Sequence, residues 1–190
     1  LAYARSRPGL HAAVFQRGDA MALPCADASC DVAVMPLVIF FVPDPARGVA
    51  EMVRATAADG TVAAYAWDMA GGGFPYHGLH QAMREIGIAV PAPPSPEASR
   101  LDVLQALWAG AGLVQVDTQV LTVQHRYADF DDWWTTAQGA PSVGAALAAM
   151  VPNDLRDLQE RMRTGLGGDA TGITCSARAH AVRGRVPAAT

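Results

Sequence analysis

The feature that most constrains this chain is the alternation of apolar strands with an amphipathic helix between Phe15 and Asp68. The run that begins at Cys30 is almost wholly apolar after its second residue, as expected for a strand covered on both faces. Asp44-Pro45 then has the residues that begin a helix, and another apolar strand starts at Thr61. Strands that alternate with a helix in this order predict a parallel, doubly wound α/β sheet.

The limits of these strands follow from turn-forming residues. The strand that begins at Cys30 is predicted to end near Met35, because Pro36 cannot donate a ladder hydrogen bond. A shorter strand is predicted at 13–16, and Gly18-Asp19 ends it. The loop after a strand of such a sheet lies at the carboxyl end of the strand, where these sheets bind ligands.

The rest of the chain continues with helices and strands. On the helix that Asp44 begins, Arg47, Glu51 and Arg54 are expected to face water. Asp59-Gly60 is expected to end this helix and to turn the chain into the next strand. Further elements are predicted downstream: helices at 76–86, 99–109, 129–137 and 153–163, strands at 114–125 and 173–182, and a turn at 165–172 before the last strand.

Composition narrows the class of protein. The 190 residues are 51% hydrophobic and 17% charged, which suits a folded core. The formal net charge is -4, so charge gives no reason to expect a nucleic-acid or an anionic-membrane partner. Three cysteines without a C-x-x-C pair favour a reducing, cytoplasmic location over a disulfide framework, and no metal site is expected. The longest apolar run, 32–42, is too short to span a bilayer.

The tripeptide Gly18-Asp19-Ala20 has the chemistry to bind an adenine ring. Adenine presents an amine that donates and a ring nitrogen that accepts, and a carboxylate beside a free backbone N–H satisfies both. Gly-Asp pairs are also frequent in ordinary turns, so the tripeptide alone leaves both interpretations open.

The residues around this tripeptide carry a resemblance to a known family. Those that carry it are Gly18-Asp19-Ala20, Leu23-Pro24, Asp27, Cys30-Asp31-Val32, Phe41 to Pro45, Asp59-Gly60-Thr61 and a closing strand at 177–187. The succession resembles the class I S-adenosylmethionine-dependent methyltransferases, in the ubiquinone- and menaquinone-biosynthesis (methyltransferase type 11) branch. Cys25, Cys30 and Asp59 depart from the family pattern, which has aromatic residues at the first two positions and glycine at the third.

The resemblance implies a Rossmann-like sheet of strand order 3-2-1-4-5-7-6 and S-adenosyl-L-methionine as the cofactor. Asp19 and Ala20 would hold the adenine, and the end of the strand from Cys30 would face the methionine half and the methyl group. The residues implied to bind the cofactor are Asp19, Ala20, Met21, Met35, Pro36 and Leu37.

Part of the family pattern is not found in the sequence. The first strand, its glycine-rich loop and the second strand would lie upstream of Leu1, and Gly71-Gly72-Gly73 is no substitute because no helix opens on it. We therefore expect 1–190 to be about two-thirds to three-quarters of one domain, its C-terminal part, with strands 1 and 2 missing. Helical insertions on the substrate side are expected at about 69–110 and 129–165. The activity of the isolated chain is left open.

Methyl transfer to a hydroxyl or an acidic carbon requires a base. The candidates are His77 and His80, about one helical turn apart, and Asp68 at the end of the strand that begins at Thr61. For each histidine the alternative is a packing or solvent-exposed role. Five aromatic side chains are candidates to line an acceptor pocket or, alternatively, to fill the core: Phe41, Trp67, Tyr76, Trp133 and Trp134.

The expected function is methyl transfer from S-adenosylmethionine to a small apolar or aromatic acceptor. One alternative is a non-catalytic binding or assembly domain that retains the sheet. Another is a different α/β nucleotide binder such as a short-chain oxidoreductase, although the chain has no Y-x-x-x-K pair. The expected partner is a small-molecule acceptor, without nucleic acid or membrane, and a homodimer is compatible with the sequence.

Overall fold

The computed structural model describes residues 1–167 and 172–188, so residues 168–171 of the predicted turn lie outside the described part. Its sheet has four strands in the order β1-β2-β4-β3. The strands are β1 (Cys30–Pro36), β2 (Thr56–Trp67), β3 (Val114–Tyr127) and β4 (Ile173–Arg185). β1 and β2 are parallel, whereas β4 runs antiparallel to both β2 and β3. The predicted α/β class is therefore confirmed.

Seven helices connect and cover these strands in the described part of the chain. They are α1 (Ala2–Arg5), α2 (Pro45–Ala55), α3 (His77–Glu85), α4 (Leu101–Gly110), α5 (Phe130–Gln138), α6 (Gly144–Ala148) and α7 (Pro152–Leu166). α2 begins as predicted, because the Asp44 carboxylate accepts a hydrogen bond from the Arg47 amide at 3.1 Å and Pro45 opens the helix. No helix among the described residues has the length and apolarity needed to cross a membrane.

The predicted strand at 13–16 is wrong. These residues have no regular secondary structure, and Val14 is 88% exposed. A strand is stable only beside another strand, and none of the four described strands pairs with this segment. A guanidinium hydrogen bond from Arg5 to the Phe15 carbonyl, 2.8 Å long, holds it instead.

The predicted turn at Asp59-Gly60 lies inside β2 as a bulge. β2 follows α2 directly, and its pairing with β1 shifts from Cys30–Thr56 to Val32–Thr61. The chain between these two pairs bulges outward, with Asp59 in the left-handed region at φ +62°. A Cβ at Gly60 would lie 2.5 Å from Cγ2 of Thr56, so only glycine fits there.

The described residues form two hydrophobic cores. The sheet core packs α2 and α4 against the sheet, and its main residues are Val49, Met52, Val62, Leu104, Trp108 and Val182. The helical core joins α3, α5, α6 and α7 to the far ends of β3 and β4, and its main residues are Leu79, Met83, Trp133, Leu147, Leu158 and Ile173. In the sheet core the fully buried Trp108 donates its indole N–H to the Val62 carbonyl at 2.9 Å.

The helices of the predicted insertion at 69–110 divide between the two cores. α3 joins the helical core, whereas α4 packs on the sheet.

Candidate functional site

An apolar cavity of about 430 Å³ opens at the carboxyl ends of β1 and β2, between the two cores. Side chains on its sheet side include Leu37, Phe40, Phe41 and Trp67. Side chains on its helical side include Phe74, Tyr76, His80 and Ser142. The carboxyl edge of a parallel pair is where open α/β sheets bind ligands, so this cavity is the candidate site.

The polar groups of this cavity are few, and none of its side chains is acidic, lysine or arginine. His80 is 5% exposed, and its Nε2 lies 3.2 Å from Oγ of Ser142. Burial, and to a smaller extent the electrostatic effects of Arg84 and His77, lowers the pKa of His80 to about 4. Burial also raises the pKa of Tyr76. Both groups are therefore neutral at neutral pH.

The three candidate bases are not brought together. His80 lines the cavity, whereas His77 does not and instead lies beside Gly72, where an added Cβ would be 3.4 Å from its ring. Asp68 does not line the cavity either. It accepts hydrogen bonds from Nη2 of Arg178 at 2.6 Å and from the Gly71 amide at 2.7 Å.

Asp68 has the properties of a structural carboxylate rather than a base. Burial raises the pKa of Asp68, but the Arg178 guanidinium and the Gly71 amide outweigh burial, so the pKa lies below its ordinary value. A carboxylate held this way accepts a proton poorly at neutral pH. The prediction of Asp68 as a base therefore conflicts with its environment.

The aromatic candidates divide into two groups. Phe41, Trp67 and Tyr76 line the cavity, and Phe41 is 59% exposed at its mouth. Trp133 and Trp134 are 2% and 5% exposed, and both pack in the helical core with Phe130. The structure thus places the tryptophan pair in the core, which is the alternative that the sequence left open.

The loop that contains Asp19 lies beside the end of β1. A Cβ added at Gly48 would be 3.8 Å from Cε of Met35 and 3.9 Å from the Ala20 carbonyl oxygen, so both groups approach α2 at one point. Asp19 is exposed, and its Oδ1 accepts a hydrogen bond from the Met21 amide at 2.9 Å. This is an Asx turn that orients the carboxylate and leaves it open to solvent.

The three residues at the end of β1 have different surroundings. Met35 is 7% exposed within the sheet core, and Pro36 is exposed to solvent. Leu37 lines the cavity and has φ +56°, while its amide donates to the Tyr65 carbonyl at 2.7 Å. A left-handed leucine is strained, and such strain is typical of functional sites. Sequence analysis gave no signal for this strain.

The side chains by which α2 holds the loop were not predicted. Arg47, Glu51 and Arg54 were expected to face water; Arg47 is exposed, Glu51 and Arg54 are half-buried, and all three also bind the segment 21–27. Nε of Arg47 donates to the Met21 carbonyl at 3.0 Å, and Glu51 accepts from the Leu23 amide at 2.8 Å. Arg54 donates to Glu51 and to the carbonyls of Leu23 and Cys25. The Arg54 hydrogen bond, followed by the bond from the Leu23 amide, lowers the pKa of Glu51 to about 2.

Comparison with known proteins places these observations in context. Residues 1–64 match a family described as a methyltransferase domain. Among curated proteins none matches the chain. The YcgJ protein of Bacillus subtilis matches with a TM-score of 0.56 at 19% identity, over 92% of this chain and 71% of that one. A candidate methyltransferase of Bacillus halodurans matches with a TM-score of 0.55 at 12% identity, over 91% and 77%.

A third solved structure is similar to the same extent. It is a candidate methyltransferase from an antibiotic biosynthesis pathway of Anabaena variabilis, with a TM-score of 0.54 at 16% identity, over 87% of this chain and 71% of that one. At these identities the three structures establish the fold, and the family match covers the first third of the sequence. The resemblance to a methyltransferase is thus confirmed by sequence over residues 1–64, and the three solved structures confirm the fold.

Proposed function

We propose that this domain, in its full-length enzyme, transfers a methyl group from S-adenosylmethionine to a small apolar or aromatic acceptor. The observation that carries the proposal is the cavity at Leu37, which adjoins the end of β1 where the resemblance implies the methyl group of the cofactor. The match of residues 1–64 to a methyltransferase domain supports the choice of reaction and cofactor.

The residues present fit the adenine end of this cofactor. The Asp19 carboxylate is exposed and oriented by its own turn, so it is able to accept a hydrogen bond from the exocyclic amine of a purine. Gly18 allows the loop to close against Pro24, because an added Cβ would lie 2.8 Å from Cδ of that proline. In the proposal Asp19 and Ala20 hold the purine, and Met21 continues the same loop.

The chain's own contribution to the reaction is alignment and exclusion of water. When bound, S-adenosylmethionine supplies an electrophilic methyl group on a sulfonium sulfur. Phe41, Trp67 and Tyr76 provide apolar walls against which a flat acceptor packs. Leu37, at the boundary between β1 and the cavity, would hold the acceptor close to the methyl group. Correct orientation of the two reactants in a dry site supplies a large part of such a rate enhancement.

Three narrower expectations remain part of the proposal. The first is that strands upstream of Leu1 complete the cofactor site, which the exposed Val32 and Val34 on β1 support. The second is a cytoplasmic location, supported by the free state of the cysteines Cys25, Cys30 and Cys175 in the described part. The third is a homodimer, for which the sheet edge of β3 is the available surface.

Calorimetry with S-adenosylhomocysteine tests the proposal on this chain and on a version extended at its amino end. We expect the extended protein to bind, and Asp19→Asn to weaken binding by about tenfold or more because the hydrogen bond to the amine is weakened. Asp31→Asn is the matched control, since Asp31 is also an exposed aspartate but lies at the amino end of β1. Absence of binding to the extended protein would favour the non-catalytic binding domain instead.

A further inference from the structure

The candidate cavity has one polar side, where His80 of α3 meets Ser142 of the turn between α5 and α6. We propose that His80 and Ser142 together bind the hydroxyl group of a neutral aromatic acceptor in this cavity. The proposal rests on the function proposed above, because it specifies the acceptor class of the same site. It goes further by naming the two side chains that select the acceptor.

Both side chains are held by the helical core. The backbone N–H of His80 donates to the Tyr76 carbonyl at 2.9 Å within the first turn of α3, and Phe74 packs on the His80 ring at 5.0 Å between centroids. Ser142 lies between α5 and α6, next to Val143, which is 1% exposed. The 3.2 Å separation of Nε2 and Oγ is therefore fixed by packing on both sides.

The geometry of the pair suits a hydroxyl group. A neutral imidazole nitrogen and a serine hydroxyl both donate or accept according to the position of one proton. A ligand hydroxyl beside them is able to donate to one and accept from the other, which satisfies all three groups. A ligand without such a group would leave His80 and Ser142 only their bond to each other.

Charge complementarity argues for a neutral acceptor. The lining contains no acidic, lysine or arginine side chain, so a carboxylate or an ammonium group would lose water there without gaining an ion pair. His80 supplies no compensating charge, because burial and the nearby Arg84 and His77 keep its imidazole neutral. Tyr76 is also neutral, because the ordinary pKa of a phenol lies well above neutral pH and burial raises it further.

Shape argues for a flat ring system. Phe41, Trp67 and Tyr76 present aromatic surfaces to a cavity of about 430 Å³. A volume in this range accommodates a small organic ligand of about two or three fused rings. Aromatic walls favour aromatic ligands, because ring pairs gain more than their buried area alone provides.

Calorimetry and ligand-detected NMR with three probes test the proposal on the 190-residue chain. The probes are 1-naphthol, naphthalene and 1-naphthoate, which share a ring system and differ in the hydroxyl group and charge. We expect 1-naphthol to bind about tenfold more tightly than either of the others. His80→Phe and Ser142→Ala should each remove most of this preference and leave naphthalene binding within about twofold.

Matched controls and a second measurement keep the outcome interpretable. His125→Phe and Ser176→Ala change the same residue types at exposed positions of β3 and β4, and both should keep the preference. If His80→Phe fails to fold by circular dichroism, His80→Gln and Ser142→Ala provide the test. Equal binding of 1-naphthol and naphthalene, or a preference unchanged in folded Ser142→Ala and His80 variants, would overturn the proposal.

The result is separable from that of the proposed function. Loss of the hydroxyl preference with intact S-adenosylhomocysteine binding to the extended protein would overturn only the role of His80 and Ser142. A preserved preference without any S-adenosylhomocysteine binding would overturn methyl transfer and leave the acceptor class of the cavity in place.

Discussion

At the scale of single residues, one buried histidine is expected to control how stability depends on pH. The pKa of His80 is about 4 in the folded protein, because of burial first and of the nearby Arg84 and His77 second. Below a pH of about 6.5 the unfolded chain binds a proton at this residue that the folded chain does not bind. Stability therefore falls as pH falls from about 6.5 to about 4, and this contribution is constant outside that window.

Between about pH 7 and pH 5 this residue should lower the free energy of unfolding by about 2 kcal/mol. Urea denaturation of the natural protein and of His80→Gln at both pH values measures it, since the variant lacks the titrating group. An equal loss of stability in both proteins would show that His80 is not responsible. His125→Gln serves as the exposed control.

The left-handed aspartate in the β2 bulge gives a second prediction at this scale. Asp59 has φ +62°. Its backbone amide donates a hydrogen bond to the carbonyl of Val186, the residue after β4, at 3.1 Å. Asp59→Gly should stabilise the protein by about 0.5 kcal/mol, and Asp59→Ala should destabilise it by about 0.5–1 kcal/mol.

Thermal unfolding of both Asp59 variants provides the measurement. Ala58→Gly, at the exposed neighbouring position without a positive φ, should destabilise by about 0.5–1 kcal/mol because glycine only adds freedom to the unfolded chain. A destabilised Asp59→Gly would mean that the side-chain approach to Arg185, 4.0 Å, matters more than the backbone strain.

At the scale of elements, the Asp68–Arg178 pair connects the end of β2 to the glycine loop and to β4. Asp68 is 4% exposed, whereas the Arg178 side chain is 46% exposed. Arg178→Met leaves a buried carboxylate without its cation, which should cost about 2–3 kcal/mol. Asp68→Asn leaves a cation that solvent already reaches, and it should cost about 1 kcal/mol.

A double-mutant cycle by urea denaturation measures the coupling of this pair. The double variant should be less destabilised than the sum of the two single variants, because each change removes the same interaction. Arg183→Met with Asp117→Asn is the matched control, since that pair is exposed at 71% and 61% and should show little coupling. Additive single effects at Asp68 and Arg178 would contradict a structural role for the pair.

At the scale of the whole molecule, local sequence signals predicted the sheet better than they predicted its surroundings. Asp44-Pro45 and the apolar run from Cys30 each specify an element through neighbouring residues, and both elements formed. The expectation that the strand from Cys30 is covered on both faces is wrong, since Val32 and Val34 are 55% and 54% exposed. The segment 13–16 has strand-forming residues as well, but a strand also needs a partner, which composition does not reveal. The bulge at Asp59 depends on the register of β1 against β2, which is equally a property of two segments.

The candidate site shows the same limit. Phe41, Trp67 and Tyr76 were three of the five aromatic candidates, and the sheet brings them to one edge because they lie at or after the ends of β1 and β2. Trp133 and Trp134 have no such constraint, and the apolar face of α5 carries them into the helical core. Ser142 gave no signal, since its role depends on a contact 62 residues away in the sequence.

The position of the cavity between two cores leads to a last prediction. β3 and β4 contribute to both cores, but α3 and α7 pack only in the helical core, which supplies His80 and Ser142. Leu158→Ala removes a side chain 1% exposed on α7 and should cost about 2–4 kcal/mol. We expect it to speed hydrogen exchange in α3, α5 and α7, to leave β1, β2 and α2 protected, and to weaken 1-naphthol binding.

Hydrogen exchange followed by mass spectrometry distinguishes this outcome from global destabilisation. Leu104→Ala is the matched control, because Leu104 is fully buried in the sheet core, on which the central strands depend. It should speed exchange in both cores, since the helical core is built on the far ends of β3 and β4 and cannot persist without them. Equal acceleration throughout the molecule in Leu158→Ala would mean that the two cores unfold as one unit. In that case the walls of the cavity could not open separately, and a ligand would have to enter past Phe41 at its mouth, which is already 59% exposed.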